Sequence, residues 1–355
     1  MYTHFVKIGL IVFGDWSKNC GNIVRPKNFA SMLEPSYNVK VLSTFEKTPF
    51  LLSRIPPMFK SFLYPLYSLL WYLKILLFMS RTYDVFLVSG VLHGFFLIAV
   101  VAKLKRIRLI YDFHGIISEE SREFHVTRRK SLLERFIIRQ SDFVICASRN
   151  ITKYYRREYG VKKIQTINNI IDESVFYPKR KNNDVFRVAL VGPFDSVYNK
   201  NTLNFVEENV ACFSSNIEFF VIGKSPQKSD SKTIHYLGYV ENYADILASN
   251  HVLLVIPLFK TSGSLNKILE AAACEIPTIT NDKGVEGLNE FNLDSDIILL
   301  NNDEIVNYIN KMSKNFSKFH KTGSNARKTV LKNYSFSSVG ESLHNLLQGV
   351  FKSDQ

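Results

Sequence analysis

Cysteine is scarce in this chain, and no short motif of metal ligands is present. The four cysteines, Cys20, Cys146, Cys212 and Cys274, are widely separated, and the sequence contains no C-x-x-C. No pair of histidines has the spacing of a metal site either. This pattern excludes a disulfide-stabilised secreted domain and a structural zinc site, and it predicts a reducing compartment.

The chain also lacks an uninterrupted apolar run of the roughly 20 residues that cross a bilayer. In the aromatic-rich segment 50–80 the longest uncharged run is only Ser61–Leu73. Asp84–Ala102 is longer, but Ser89-Gly90 and His93-Gly94 interrupt it, which favours a strand, a turn and a buried helix. Residues 1–13 have too short an apolar core for a signal peptide and better fit a first strand, so we expect a cytoplasmic protein.

Two interpretations of segment 50–80 stay open. Its apolar residues can form core helices, or they can form amphipathic helices in a membrane interface with Arg54, Lys60, Lys74 and Arg81 at the head groups. A mixture is also possible, in which one face packs while Phe62, Tyr64 and Trp71 stay at the surface.

Acidic residues are scarce in the first half. Residues 1–178 contain 26 Lys and Arg against 13 Asp and Glu, whereas the remainder has 19 of each, so the whole net charge of +13 lies in the first half. That half is expected to contact something anionic. Nucleic acid and an acidic membrane surface are the usual candidates, and charge alone does not separate them.

The chain has 355 residues, which favours two domains over one. Apolar strand patterns alternate with helical patterns in both halves, so we predict an α/β protein with two doubly wound, Rossmann-like sheets. The charged segment near residues 179–184 is the predicted linker. We therefore assign 1–178 to an N-terminal domain and 184–335 to a C-terminal domain, with a final amphipathic helix at 336–355.

The stretch Leu253–Thr280 has the pattern of an anion site. It predicts a buried strand over Leu253–Ile256, a polar turn that includes Gly263, and a helix from Leu265 to about Cys274 with Ser264 as its N-cap. Free backbone N–H groups and the positive end of the helix dipole would face a phosphate there. The sequence alone also allows an ordinary solvated helix face.

Two strands of the first half end in polar residues. Val6–Phe13 leads into Gly14, and Arg108–Phe113 leads into His114-Gly115. Ligands of open α/β sheets bind beyond the carboxyl ends of the strands, so both positions are candidates. Gly14 is equally consistent with a structural turn, and His114 with a core or capping residue.

These motifs together resemble the retaining glycosyltransferases of family 4, which have the GT-B fold of two Rossmann-like domains facing a central cleft. NKILEAAACEIPTIT followed by GVEGL resembles the donor-site signature of that family, and YDFHG resembles its D-x-H-G. Residues 141–178 also match, and there Asp172 and Phe176 are expected to fix the hinge. By the same resemblance, helix 336–355 packs back on the first domain.

The resemblance assigns roles to individual residues. Glu270 would hold the ribose and His114 would lie beside the transferred sugar, and both are our catalytic candidates. Ser262 stands where most members have a Glu, while Asn266-Lys267 fits a subset that reads roughly G-x-Q-N-K-x-L-E-A-M-A. The full set of expected donor-binding residues is Gly14, Gly192, Asn199, Lys200, Tyr239, Ser262, Gly263, Ser264, Asn266, Lys267 and Glu270.

The reaction implied by the resemblance is transfer of a sugar from a nucleotide sugar to an acceptor hydroxyl, with the anomeric configuration retained. No cofactor and no metal are expected, because Lys200 and the helix start after Ser264 would offset the diphosphate charge. A lipid-linked or saccharide acceptor in cell-envelope polysaccharide or glycolipid synthesis is expected. The basic half would then bind an anionic membrane peripherally, at its inner face.

Two other functions stay open at this stage. Ser262 in place of an acid, and the absence of an Arg near Pro193, allow a catalytically silent protein that binds nucleotide sugars. The basic first half allows a nucleic-acid-binding protein, but no recognised binding motif accompanies the charge, so we expect no nucleic acid.

Overall fold

The structure is a computed structural model that describes residues 6–17, 21–45, 69–90, 94–117, 127–179, 185–225, 232–258 and 265–352. The chain divides into two compact units, one made of residues 1–167 with 340–355 and the other of residues 168–339. Each unit contains a six-stranded sheet in which all neighbouring strands are parallel. The prediction of an α/β fold with two doubly wound sheets is therefore confirmed.

The sheet of the first unit has the strand order β2-β1-β3-β4-β5-β6. The strands are β1 (Lys7–Asp15), β2 (Asn38–Phe45), β3 (Val85–Ser89), β4 (Arg108–Phe113), β5 (Phe143–Cys146) and β6 (Ile164–Thr166). The middle strands β3 and β4 are almost entirely buried, as expected for parallel strands covered on both faces. The order reverses between β1 and β3, which makes their carboxyl ends the switch point of this sheet.

The helices of the first unit are α1 (Gly21–Leu33), α2 (residues 69–79), α3 (Phe95–Lys105), α4 (Thr127–Gln140) and α5 (Arg149–Tyr159). The predicted division of Asp84–Ala102 into strand and helix is confirmed by β3 and α3. The expectation that Trp71 stays at the surface is wrong. Trp71 is buried with Ile75 under Gly94, while leucines on the other side of α2 are exposed. Phe62 and Tyr64 lie outside the described residues.

The sheet of the second unit has the order β12-β11-β10-β7-β8-β9. The strands are β7 (Phe186–Val191), β8 (Ile217–Ile222), β9 (Ile234–Gly238), β10 (Val252–Val255), β11 (Thr278–Thr280) and β12 (Ile298–Leu299). The helices of this unit are α6 (Val197–Asn209), α7 (Ala244–Ala248), α8 (Asn266–Ala273), α9 (Asn302–Lys314) and α10 (His320–Asn333). The last helix, α11 (Phe336–Lys352), begins in this unit and continues into residues of the first. The order reverses between β7 and β10, so the switch point lies at their carboxyl ends.

Two predicted helix starts are corrected by the structure. The polar residues Asn199-Lys200-Asn201 predict a loop with a helix beginning near Thr202. The helix instead begins at Val197, so Asn199 and Lys200 belong to its first turn. Leu265, not Ser264, occupies the N-cap of α8. A leucine side chain cannot accept a hydrogen bond, so the first backbone N–H groups of α8 receive no side-chain cap.

Within the described ranges, no helix is both long enough and apolar enough to cross a membrane. Cys146, Cys212 and Cys274 form no disulfide among the described residues, and Cys20 lies outside them. Residues 340–352 of α11 belong to the first unit, where the His344 ring lies 5.3 Å from the Tyr37 ring.

Candidate active site

In the second unit, several predicted donor-binding residues meet at the switch point. Gly192 directly follows β7 and has a φ of +148°, which disfavours any residue with a side chain. A Cβ at Gly192 would lie 2.6 Å from Asn199 Nδ2 and 3.0 Å from Lys267 Nζ. Glycine at this position therefore lets α6 and α8 bring Asn199 and Lys267 together.

Lys267 is held by two acceptors on neighbouring elements. Its Nζ donates to the carbonyl oxygen of Val191 and to Asn199 Oδ1, both at 2.5 Å. Burial lowers the pKa of Lys267 to about 8, although the nearby Glu270 carboxylate favours the charged form. At neutral pH this ammonium is still mostly charged, and it sits at the end of β7 where the fold binds ligands.

Glu270 follows Lys267 by nearly one helical turn on α8. Its Oε2 accepts a hydrogen bond from the Tyr243 hydroxyl. Burial raises the pKa of Glu270, while the hydrogen bond from Tyr243 and the charge of Lys267 oppose that rise. The Tyr243 ring in turn packs on Phe176, with 5.9 Å between ring centroids. The carboxylate is thus held by Tyr243, whose ring is itself packed in place.

The first residue of α8, Asn266, is held by a side chain from an earlier part of the chain. Asn266 Oδ1 accepts a hydrogen bond of 3.0 Å from Asn169 Nδ2, which fixes the first residue of the helix. The helical spacing of Leu265, Ile268, Leu269 and Ala272 predicts one buried face. Ile268, Leu269 and Ala272 are buried, whereas Leu265 is partly buried and forms the N-cap. Ser262, Gly263 and Ser264 lie outside the described residues, so their predicted roles remain predictions.

Lys200 and Tyr239 differ from the residues above because their side chains are exposed. Lys200 lies in the first turn of α6, next to Asn199. Among the described residues, no contact between its side chain and Lys267 is seen. Tyr239 follows β9 and is 72% exposed. Both remain candidate contacts to a bound nucleotide sugar.

In the first unit, His114 follows β4 and is one quarter exposed. Its Nε2 lies 2.8 Å from Ser89 Oγ and 3.1 Å from Asp112 Oδ2. Ser89 Oγ itself donates to Asp112 Oδ2 at 2.8 Å. His114 is therefore fixed at a strand end by a buried polar network.

That network is anchored by an ion pair between Arg25 and Asp112. The Arg25 Nε and Nη2 atoms donate to the Asp112 carboxylate at 2.9 to 3.1 Å, and Nη2 also donates to the carbonyl oxygen of Ile167. Burial by itself would raise the pKa of Asp112, but the charge of Arg25 and the contact with His114 hold it well below its usual range. Asp112 is therefore an ionised carboxylate in the interior.

Gly14 lies within β1 and has a φ of +151°, at a point where the pairing with β2 shifts register. The register shift is a β-bulge inside the strand, so β1 continues past Phe13 and Gly14 does not lie in a turn that follows it. The other interpretation of Gly14, contact with a donor, stays a prediction.

Five residues that support the candidate site were not predicted from the sequence: Arg25, Ser89, Asp112, Asn169 and Tyr243. Asp112 could have been found, because it is the first residue of the D-x-H-G motif and directly precedes a strand end. The other four lie far from their partners in sequence, and only the fold brings them into contact. No group of three or more His, Cys, Asp or Glu side chains in the described part of the chain could hold a metal ion.

Solved structures with the same architecture cover nearly the whole chain. Sucrose-phosphate synthase from Thermosynechococcus elongatus superposes with a TM-score of 0.77 at 17% identity, over 98% of this chain and 100% of that one. HepE from Anabaena, solved with UDP and glucose, gives 0.70 at 14% identity over 97% and 100%. The apo form of the lipopolysaccharide outer core galactosyltransferase WaaB gives 0.64 at 13% identity over 97% and 99%. These likenesses establish the GT-B fold.

Sequence profiles identify the family. Residues 28–175 match the profile described as Glycosyltransferase Family 4, and residues 186–315 match the profile described as Glycosyl transferases group 1. No curated protein sequence matches the chain. Because the two profiles together cover more than three quarters of the chain and correspond to its two sheets, the chain belongs to the family 4 glycosyltransferases, enzymes that use nucleotide-sugar donors.

Proposed function

We propose that this enzyme transfers a sugar from a nucleoside diphosphate sugar to an acceptor hydroxyl, with retention of the anomeric configuration. The observation that carries the proposal is the cluster of Gly192, Asn199 and Lys267 at the switch point, one turn from Glu270. This cluster combines an ammonium with a helix start that lacks a side-chain cap, and both attract a diphosphate.

In this proposal the second unit holds the nucleotide. Lys267, with Lys200 on the first turn of α6, offsets the charge that develops on the departing diphosphate. Glu270 accepts hydrogen bonds from the two ribose hydroxyls. His114 of the first unit contacts the transferred sugar. No metal ion is required in this proposal, because these cationic groups and the helix start neutralise the diphosphate.

A panel of nucleotide sugars tests the reaction. We expect one of UDP-glucose, UDP-galactose, UDP-N-acetylglucosamine, GDP-mannose and ADP-glucose to release free nucleotide, with unchanged rates in EDTA. UDP sugars come first because HepE was solved with UDP and glucose. Nucleotide binding without release, for every sugar and with added acceptors, would instead support a catalytically silent binding protein.

We further propose that the acceptor is lipid-linked or lies at the cell envelope, and that the first unit binds an anionic membrane from its inner side. Helices α2 and α3 are neighbours, since Gly94 contacts Ile75 and Lys105 Nζ donates to the carbonyl oxygen of Met79. Helix α4 adjoins α3, because the Phe96 and Phe136 rings stack at 5.9 Å. The three helices form one side of the unit.

This side, which we name the apolar face, exposes large apolar side chains from all three helices. They are Leu69, Leu70, Leu73, Leu76 and Leu77 on α2, Phe96, Val100 and Leu104 on α3, and Leu132 on α4. Leu77, Phe96 and Leu104 are 71%, 68% and 78% exposed. Exposed apolar side chains on protein surfaces are usually scattered singly. A group of nine on one side of a unit indicates an interaction site.

The charges around the apolar face favour an anionic bilayer as its partner. Residues 69–81 and 95–106 contain no Asp or Glu, and the acid of α4, Glu134, is buried against Tyr155 and Tyr159. The exposed basic residues are Lys74, Arg81, Lys103, Lys105, Arg106, Arg135 and Arg139. Each basic residue close to an anionic surface contributes about 1 kcal/mol, and the attraction fades beyond a Debye length of about 8 Å at physiological salt.

Vesicle co-sedimentation tests membrane binding. We expect binding to phosphatidylglycerol-containing vesicles that weakens with salt, and little binding to pure phosphatidylcholine. Leu77 is exposed, so Leu77→Glu leaves the core unchanged, and it should reduce vesicle binding severalfold. The matched control is Leu299→Glu, at another exposed leucine, which should not reduce binding. Equal binding to both vesicle types, or none at low salt, would contradict the proposal.

A further inference from the structure

The contacts of His114 determine which of its ring nitrogens carries the proton. Asp112 is ionised and receives the Arg25 guanidinium on both carboxylate oxygens. The Ser89 hydroxyl lies 2.8 Å from Asp112 Oδ2 and has a single proton, which it donates to that carboxylate. Ser89 Oγ therefore faces His114 Nε2 with a lone pair.

Two acceptors thus surround His114 Nε2, at 2.8 Å from Ser89 Oγ and 3.1 Å from Asp112 Oδ2. An unprotonated Nε2 would place three lone pairs against one another in a buried position. A protonated Nε2 donates to both oxygens. The network therefore selects the Nε2–H form of the neutral imidazole, and the lone pair of the ring is then on Nδ1.

Gly90 keeps the other edge of the ring uncovered. Its φ is +65°, and a Cβ at this position would contact His114 Cε1 at 3.4 Å and Nδ1 at 3.6 Å. Any side chain longer than alanine would cover that edge. With glycine there, the Cε1–Nδ1 edge is accessible beyond the carboxyl ends of β3 and β4, the side of an α/β sheet where ligands bind.

We propose that Arg25, Asp112 and Ser89 are positioning residues that hold His114 in the Nε2–H form, so that Nδ1 accepts a hydrogen bond from a hydroxyl group of the bound sugar. The identity of the ligand rests on the proposed function. The tautomer does not, because it is a property of the protein without donor.

The tautomer is measured by two-bond ¹H–¹⁵N correlation spectra of the uniformly labelled full-length protein without ligand. The signals of His114 are identified by their loss in His114→Gln. We expect a protonated-type Nε2 and an unprotonated-type Nδ1 in the wild type, and a weaker preference for this tautomer in Ser89→Ala, where Asp112 Oδ2 is the acceptor that remains for Nε2–H. A wild-type His114 protonated at Nδ1 would overturn the proposal.

Kinetics with the nucleotide sugar identified in the panel tests the consequence. Ser89→Ala should lower kcat by about tenfold or more with little change in KM, because it disturbs an acceptor used in the transition state. A matched control is Ser43→Ala, which removes another buried hydroxyl from the same sheet and should leave kcat within about twofold.

A double-mutant comparison separates positioning from a general structural effect. In a His114→Ala background, Ser89→Ala should cause no further loss of kcat, because its effect passes through the imidazole. A further tenfold loss in that background would overturn the positioning role. Normal turnover of His114→Ala alone would overturn the contact with the sugar, while the spectra decide the tautomer independently.

Discussion

Lys267 Nζ donates a hydrogen bond of 2.5 Å to Asn199 Oδ1, although the two residues are 68 positions apart. The contact joins the first turns of α6 and α8 across the switch point of the second sheet. It places a buried ammonium with a pKa of about 8 where a diphosphate is proposed to bind. The pKa of such a group responds to an arriving anion.

The first prediction is that nucleotide binding takes up a proton at Lys267. The negative diphosphate raises the pKa of Lys267, so near pH 8.5 the free protein is partly deprotonated and the complex is protonated. Affinity for the nucleoside diphosphate should therefore vary little just above pH 7 and should fall as the pH rises through about 8. Isothermal titration calorimetry of UDP, GDP and ADP in buffers of different ionisation enthalpy measures the uptake.

Lys267→Met should abolish both the proton uptake and the fall in affinity above pH 8. Lys314→Met, which removes an exposed lysine at the end of α9, should change neither. Binding with the same proton uptake in Lys267→Met would assign the titrating group elsewhere.

The second prediction concerns Glu270. Charge-assisted hydrogen bonds to the ribose hydroxyls contribute about 1.5–3 kcal/mol, so Glu270→Ala should weaken nucleotide binding by roughly tenfold or more without unfolding the protein. Tyr243→Phe should weaken binding less, because it removes only the hydrogen bond that orients Glu270. Glu208→Ala, at an exposed glutamate on α6, is the matched control. An unchanged Kd in Glu270→Ala would contradict the ribose role.

The third prediction is that Asp112→Asn destabilises the first unit strongly. It leaves the buried Arg25 without a counter-charge, which typically costs 3–5 kcal/mol. Because the chain has two units, the shift of the urea midpoint is a better measure than a single free energy of unfolding. The control Asp294→Asn, at an exposed position, should shift it little.

The Arg25–Asp112 ion pair also predicts how the stability of the first unit changes at acidic pH. The pKa of Asp112 is lowered in the folded state, so its contribution to stability is complete above the usual pKa of an aspartate, about 3.9. That contribution is lost as the pH falls further below this value. The difference in urea midpoint between Asp112→Asn and the wild type should therefore become smaller as the pH falls below 4. A difference that stays constant down to pH 2 would exclude the ion pair as its cause.

The fourth prediction concerns the packing of α10 on the end of α8. A Cβ at Gly323 would lie 2.2 Å from the carbonyl oxygen of Glu275, a backbone atom that cannot move aside without shifting the helix. Gly323→Ala should lower the melting temperature of the second unit, by an amount that corresponds to about 1–3 kcal/mol. Gly349→Ala, in α11 with nothing within 4 Å, should be neutral or stabilising by up to about 1 kcal/mol. Equal melting temperatures for the two variants would contradict the close packing.

The amino-acid pattern was enough to predict several strands and the residues that follow them. Arg108–Phe113 was predicted with the bounds that the structure has, because parallel strands buried on both faces are nearly continuous apolar runs. The buried face of α8 was likewise predicted from its helical period. The family was recognisable from motifs that are short and continuous in sequence.

Start positions of helices were less predictable. Polar residues such as Asn199 and Lys200 are compatible with a loop or with a first helical turn, since neither has a strong preference that would decide between them. Trp71 and the leucines of α2 have similar hydrophobicity, and the periodicity shows two apolar sides without showing which one the sheet covers. In the structure, the side that carries Trp71 packs under Gly94 and is the buried one.

The sequence by itself determined that His114, Glu270 and Lys267 lie at strand ends and at a helix start. Only the tertiary structure decided their partners, because the order of strands in each sheet sets which ends become neighbours. Asp112 forms an ion pair with Arg25, which is 87 residues away in the sequence. Lys267 donates a hydrogen bond to Asn199, which is 68 residues away. Burial and the charged partners in those contacts together set the pKa of each group, which no local pattern specifies.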